Sequence, residues 1–190
     1  ENRIMEAVYG RDVSEMLVTL SYQGLVDEVD AIMDLNPDDT HLKLHTQGRD
    51  PDIGMTAIAY DKGYFFLRLI ESTVGRERFD AWLSGYFETY AFKGMDTEYF
   101  VDYLKSTLLQ DQADQDAVRL DEWIYGPGLP DNCPAVASPR IERVDAALAQ
   151  WERGELTTAE LPWESWAYQE RYRFLSNLAD DTSTDRMADL

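Results

Sequence analysis

Apolar residues recur at intervals of three and four along nearly the whole chain, the spacing that places them on one face of an α-helix. The helices predicted from this spacing are a piece ending near residue 9, then about 12–34, 53–74, 76–92, 97–110, 117–125, 139–153 and 163–179. Residues 37–51 are mainly polar, which indicates a long loop or a brief extended piece. The chain has no internal repeat. The pattern predicts an all-α fold.

A segment rich in proline interrupts the helical pattern. We expect residues 129–138 to form a linker between one helical part, residues 1–128, and a second, residues 139–190. Ser138 followed by Pro139 is a favourable cap and first-turn pair for the helix after the linker. Two helices cannot enclose a core alone, so those after the linker either pack on the first part or belong to a larger domain.

The charge of the chain narrows the class of partner. Seventeen basic and 37 acidic residues give a formal net charge of −20, which repels phosphate backbones and anionic lipid. We therefore expect neither nucleic acid nor a membrane surface as a partner. No apolar run approaches the ~20 residues that a membrane-spanning helix needs. A single cysteine, Cys133, excludes an internal disulfide bond.

Two motifs resemble chemical sites but lack essential parts. His41 and His45 have the spacing of two zinc ligands one helical turn apart, yet the residue after the first is Leu42, where a general-base Glu belongs. The alternating pattern there also favours extended backbone, which would separate the imidazoles, so we expect two ordinary loop histidines. Cys133 has no histidine near it in sequence, and we expect a structural cysteine.

Tyr60 lies in the segment DPDIGMTAIAYDKGYFF, residues 50–66, whose helical pattern places Met55, Ile58 and Ala59 on the inward face. Composition and spacing favour a packing role for this tyrosine, because buried tyrosines far outnumber catalytic ones. A phenol is protonated at neutral pH, however, and can donate a hydrogen bond to a developing oxyanion. The residue pattern leaves both roles open.

Three segments together resemble one enzyme family. They are Glu1-Asn2-Arg3-Ile4, the block from Asp50-Pro51-Asp52 to Tyr60-Asp61-Lys62-Gly63, and Trp123-Ile124-Tyr125-Gly126-Pro127-Gly128-Leu129-Pro130. Their order and separation are similar to those of the HExxH zinc aminopeptidases, in the leukotriene hydrolase/aminopeptidase branch. The resemblance covers essentially the whole chain. It implies the helical half of a thermolysin-like catalytic domain, a linker, and the first helices of a C-terminal helical domain.

The resemblance also implies roles for particular residues. Tyr60 matches the family tyrosine that donates a hydrogen bond to the tetrahedral intermediate, and Asp52 matches an acidic residue of the substrate pocket. Met55 stands where the leukotriene enzymes have a second pocket tyrosine, which favours peptidase activity over epoxide hydrolysis. Ala59 and Asp61 replace the Pro and Glu that are common in the family motif.

The same resemblance places the zinc ligands upstream of Glu1. The chain is therefore expected to be a fragment of a zinc-dependent aminopeptidase that acts on peptides with a free N-terminus, and to be inactive alone. The expected location is cytoplasmic, with the periplasm or secretion as alternatives, and the sequence does not indicate an oligomeric state. Two other functions stay open: a non-catalytic acidic helical interaction module, and an epoxide hydrolase of the leukotriene type.

Overall fold

The computed structural model describes residues 2–54 and 56–190, and every regular element in these two ranges is helical. The prediction of an all-α fold is confirmed. The α-helices are α1 Asn2–Tyr9, α2 Arg11–Met33, α3 Gly63–Val74, α4 Arg76–Thr89, α5 Thr97–Thr107, α6 Gln112–Val118, α7 Leu120–Tyr125, α8 Pro139–Glu152, α9 Tyr168–Ser176 and α10 Thr184–Ala188. None of them is long and apolar enough to cross a membrane.

Several predicted helices begin or divide differently from the prediction. The element expected over 53–74 starts instead as a π-helical turn, Ile58–Lys62, and continues directly into α3. Residues 112–118 form α6, although the acidic stretch Asp111–Asp116 predicts a solvated turn before the next helix. Arg119, with a φ of 52°, adopts the left-handed conformation and separates α6 from α7.

Short 3₁₀ turns occupy positions where the chain changes direction. They are Pro37–Thr40, Pro51–Gly54, Thr158–Glu160 and Trp163–Ser165. The last of these replaces the beginning of the helix predicted over 163–179, and α9 starts only at Tyr168. The carboxylate of Glu170 accepts a hydrogen bond from the Ala167 N–H at 2.9 Å, which satisfies a backbone donor at the start of α9.

The helix caps follow the sequence signals. The Asp96 carboxylate accepts a hydrogen bond from the Tyr99 N–H at 2.9 Å at the start of α5. The Ser138 hydroxyl accepts one from the Ile141 N–H at 3.4 Å, with Pro139 in the first turn of α8.

The chain divides into two compact units, residues 23–135 and residues up to 22 together with 136–190. The boundary at Val136 falls inside the predicted linker, and the division into domains 1–128 and 139–190 stays a prediction. The first unit is built around α3, which packs against α4 and α6. Its fully buried apolar side chains, each under 2% exposed, are Leu25, Phe65, Ile70, Leu104, Leu109, Val118 and Trp123.

The second unit has its own core between α8 and α9. Its buried members are Val144, Leu148, Trp151, Leu161, Trp166 and Phe174. Arg140 of α8 forms a two-point ion pair with the buried carboxylate of Glu170, which also holds the start of α9. The Glu170 side chain therefore connects the two helices as well as capping one of them.

Candidate active-site segment

The π-helical turn presents its residues to opposite environments. Lys62 is fully buried, whereas 75% of Tyr60 is exposed to solvent. Residues two positions apart in a helical turn point to roughly opposite sides of its axis, which accounts for the contrast. The inward packing considered for Tyr60 is therefore wrong, and Ala59 is exposed too. Helical spacing counted from the buried Ile58 reaches Lys62 and Phe65 and leaves Tyr60 on the opposite side, so the error lies in assigning Tyr60 to the inward face.

Lys62 is held by carbonyl oxygens instead of carboxylates. Its ammonium nitrogen donates to the carbonyl oxygen of Thr40 at 2.8 Å and to that of Gly126 at 3.0 Å. Burial lowers the pKa of this amine from 10.5 to about 8, because desolvation disfavours its charged form. No carboxylate within residues 2–54 and 56–190 forms an ion pair with it.

Thr40 also contacts the segment after α7 through its side chain. Its side chain is buried; the hydroxyl donates to the Pro37 carbonyl oxygen at 2.6 Å and accepts from the Gly128 N–H at 2.7 Å. Gly126 has no room for a side chain, since a Cβ there would lie 2.5 Å from the Glu122 carbonyl oxygen. The segment Gly126–Gly128 is thus bonded to Lys62 through the Gly126 carbonyl and to Thr40 through the Gly128 N–H.

The N-terminal end of the π-turn has a separate anchor. The two carboxylate oxygens of Glu28, in α2, lie 3.1 and 3.4 Å from the Ala57 backbone nitrogen, which donates to them. A carboxylate at this position satisfies a backbone N–H that has no partner within the turn. The turn that carries Tyr60 is therefore held by side-chain contacts near both of its ends.

The loop leading to the turn is also ordered by polar contacts. Arg49 binds Asp39 through two parallel hydrogen bonds of 2.5 and 2.7 Å, and this contact lowers the pKa of the Asp39 carboxyl. The Asp50 carboxylate then accepts from the Asp52 N–H at 3.0 Å. The side chain of Asp52 is exposed, and Met55 lies outside the described residues.

Asp52 and Tyr60 thus occupy two successive turns, Pro51–Gly54 and Ile58–Lys62, and both side chains are open to solvent. No other described residue hydrogen-bonds to the Tyr60 hydroxyl. A free phenol on a turn with fixed ends can donate to a substrate oxygen without first breaking an internal contact.

The histidines and the cysteine make no comparable arrangement. In the part of the chain that the structure describes, no group of three or more His, Cys, Asp or Glu side chains could hold a metal ion. The buried Nε2 of His41 lies 3.9 Å from an Asp38 carboxylate oxygen. Burial raises the pKa of the Cys133 thiol to about 11, so it is not a thiolate at neutral pH.

Lys62 supports this site structurally, a role that the sequence pattern did not predict. A signal for it is nevertheless present: Lys62 follows Ile58 by four positions and precedes the buried Phe65 and Phe66, so it occupies an apolar stripe. A lysine in such a stripe must either extend to the surface or find internal acceptors. Its acceptors lie 22 and 64 residues away and could not be read from periodicity.

Comparison with known proteins identifies the family. The chain is 29% identical over 181 residues to a leukotriene A-4 hydrolase homolog of Botryotinia fuckeliana, covering 94% of this chain and 28% of that protein. It is 33% identical over 159 residues to leucine aminopeptidase 2 of Aspergillus terreus, covering 80% of this chain and 25% of that one. The chain thus spans less than a third of the length of these relatives.

Solved structures show the same fold. Yeast LTA4 hydrolase in complex with bestatin superposes with a TM-score of 0.77 at 22% identity, over 93% of this chain and 30% of that one. The all-helical architecture therefore corresponds to the helical part of an LTA4 hydrolase-like fold. The sequence itself matches the peptidase family M1 domain over residues 1–123, which include the loop, the π-turn and α3. The chain belongs to peptidase family M1.

Proposed function

We propose that the full-length protein is a zinc-dependent aminopeptidase that removes N-terminal residues from peptides, and that Tyr60 stabilises the oxyanion. The observation that carries this proposal is the exposed Tyr60, whose hydroxyl has no hydrogen-bond partner among the described residues, on a turn whose ends are held by Glu28 and Lys62. Family membership and relatives named leucine aminopeptidase support the reaction class.

The chemistry assigned to Tyr60 is hydrogen-bond donation. When water attacks the scissile carbonyl, negative charge develops on the carbonyl oxygen, and a donor already aimed at that position lowers the barrier. A neutral phenol supplies this donor without adding a charge to the site. Loss of one such donor typically reduces kcat by roughly 10²–10³-fold.

The residues of this chain do not fit a zinc site, since the described part contains no suitable cluster of ligands. We propose that residues outside this chain supply the zinc ligands of the full-length enzyme. No catalytic step of this chain is therefore assigned to the metal. The contribution of this chain is Tyr60 and the structure that orients it.

We further propose that Asp52 and Met55 line the substrate pocket. Asp52 is exposed on the turn before the one that carries Tyr60. An acidic side chain there suits a substrate with a protonated N-terminus, because opposite charges attract. Met55, in place of a second phenol, favours peptide hydrolysis over epoxide opening. A cytoplasmic location stays a prediction.

The reaction class is tested with the full-length protein and a matched pair of substrates. Leucine p-nitroanilide has a free amine, whereas its N-acetylated analogue does not. We expect rapid release of p-nitroaniline from the first substrate alone, and loss of that release after treatment with a zinc chelator. Equal hydrolysis of both substrates, or activity that survives complete removal of zinc, would contradict the proposal.

A further inference from the structure

The orientation of the π-turn depends on which of its residues point inward. Lys62 is 0% exposed and Tyr60 75% exposed, on opposite sides of the same turn. Rotating the turn about its axis to move Tyr60 would also withdraw the Lys62 amine from its two carbonyl acceptors, which lie 2.8 and 3.0 Å away. The contacts of the buried side chain therefore fix the direction of the exposed one.

Packing alone does not call for an ammonium group at this position. A methionine has similar length and would fill the space without the desolvation cost of a buried charge. The depressed pKa of about 8 reflects this cost. What lysine adds is directional hydrogen bonding to two carbonyl oxygens from distant parts of the chain, those of Thr40 and Gly126.

The residues that supply the two acceptors make further contacts. Thr40 is buried, and its hydroxyl bonds to Pro37 and Gly128 while its carbonyl accepts from Lys62. Gly126 is pressed against the Glu122 carbonyl. A donor held by two such acceptors has little freedom, and the Glu28 carboxylate restrains the opposite end of the turn.

We propose that Lys62 is a positioning residue for Tyr60: its amine, held by the carbonyls of Thr40 and Gly126, sets the rotation of the π-turn and so aims the phenol at the substrate. This inference rests on the proposed function, because it acts through the hydroxyl of Tyr60. Lys62 is buried and does not touch the substrate. A misplacement of about 1 Å at a reacting centre can cost 10²-fold in rate.

The test is a double-mutant cycle in the full-length enzyme with Tyr60→Phe, Lys62→Met and both changes together. We expect Lys62→Met to lower kcat by on the order of 10²-fold with little change in KM. In the Tyr60→Phe background the same change should alter kcat by no more than about twofold, because there is no hydroxyl left to position. If the two substitutions instead lower kcat independently, so that their effects multiply in the double mutant, Lys62 has a general structural role and the inference is overturned.

A matched control comes from another lysine of the same unit. Lys43 pairs with Glu98 at the surface, and Lys43→Met should leave kcat unchanged. If Lys62→Met does not fold, Thr40→Val serves in the same cycle, because it frees the Gly128 N–H and loosens the same acceptors. An unchanged kcat in either folded variant would contradict the inference.

The cycle also separates this inference from the proposed function. Wild-type turnover in Tyr60→Phe alone would refute the role of Tyr60. A large loss in Tyr60→Phe combined with multiplicative behaviour of Lys62→Met would refute only the positioning role.

Discussion

The amine of Lys62 lies 3.0 Å from the carbonyl oxygen of Gly126, although 64 residues separate them in the chain. The two residues belong to two of the three segments that carry the family resemblance, the Tyr60–Gly63 block and the Trp123–Pro130 block. The structure gives a physical reason for their joint occurrence: one segment supplies the buried donor and the other an acceptor. The segment after α7 is thus part of the support for the candidate active site.

Replacing Tyr60 by Phe in the full-length enzyme removes the hydroxyl and keeps the ring. We expect kcat to fall by roughly 10²–10³-fold while KM changes little, because the hydrogen bond forms with charge that develops in the transition state. Steady-state kinetics on a leucine substrate measure both constants. Tyr99→Phe changes another exposed tyrosine, in α5, and should behave as wild type. A comparable loss in that control would point to a general effect on the fold.

Gly126→Ala tests how tightly the Lys62 acceptor is held. The new Cβ would lie 2.5 Å from the Glu122 carbonyl oxygen, so backbone must move, and we expect a loss of about 1–3 kcal/mol in the free energy of unfolding. Gly24, inside α2, has nothing within 4 Å of an added methyl group, and Gly24→Ala should stabilise by about 0.5–1 kcal/mol. Urea denaturation gives the free energy of unfolding of both variants. Equal changes of the same sign would contradict the close packing at Gly126.

Much of the fold follows from local sequence. The periodicity predicted the long helix up to residue 34, and the cap at Ser138 was correct because it requires only a side chain and the next turn. The α6 helix was not predicted, because its residues are mainly polar and lack a continuous apolar stripe. Local patterns therefore predict elements well where the apolar face is continuous.

The candidate site could be predicted only in part. Tyr60 was found through a resemblance, and its exposure is the opposite of the packing role that composition and spacing favoured. The Lys62 contacts join residues that are distant in sequence, and Glu28 reaches Ala57 from a helix 29 residues earlier. Such contacts are decided by tertiary packing, which one sequence does not specify.

The buried amine also predicts a dependence of stability on pH. The pKa of Lys62 is about 8 in the folded protein and near 10.5 when the chain unfolds, so between these values the unfolded state binds more protons. Stability from this group therefore rises with pH across that window, by about 2 kcal/mol between pH 7.5 and 9.5. The difference in free energy of unfolding between wild type and Lys62→Met isolates this contribution, because other titrating groups cancel. If the difference in free energy of unfolding between wild type and Lys62→Met stays constant with pH, the amine is not desolvated.

The 190-residue chain by itself is expected neither to bind zinc tightly nor to hydrolyse peptides. The described residues contain no cluster of three metal ligands, and the histidine pair lacks a neighbouring carboxylate in the zinc motif. Isothermal titration with zinc and an assay with leucine p-nitroanilide check both statements. Stoichiometric uptake with nanomolar affinity would contradict them and would direct attention to His41 and His45.

The ion pair between Arg140 and Glu170 predicts a large effect in the second unit. Glu170 is buried, accepts from the Arg140 guanidinium and from the Ala167 N–H, and has its pKa lowered by that guanidinium. Glu170→Gln should cost about 2–4 kcal/mol, because it leaves a partly buried cation without its partner.

The pH dependence of this pair has the opposite sign to that of Lys62. Since the folded-state pKa is depressed, the stabilisation is present at neutral pH and is lost as the pH falls below the ordinary range of a glutamate. The exposed pair Arg153–Glu155 offers a matched control, and Glu155→Gln should leave stability almost unchanged because solvent screens the pair. Thermal or urea unfolding of the two variants at pH 7 measures the contrast. Equal, small losses of stability in the two variants would show that the Glu170 carboxylate is solvated, since removing one partner of a desolvated pair destabilises the fold strongly.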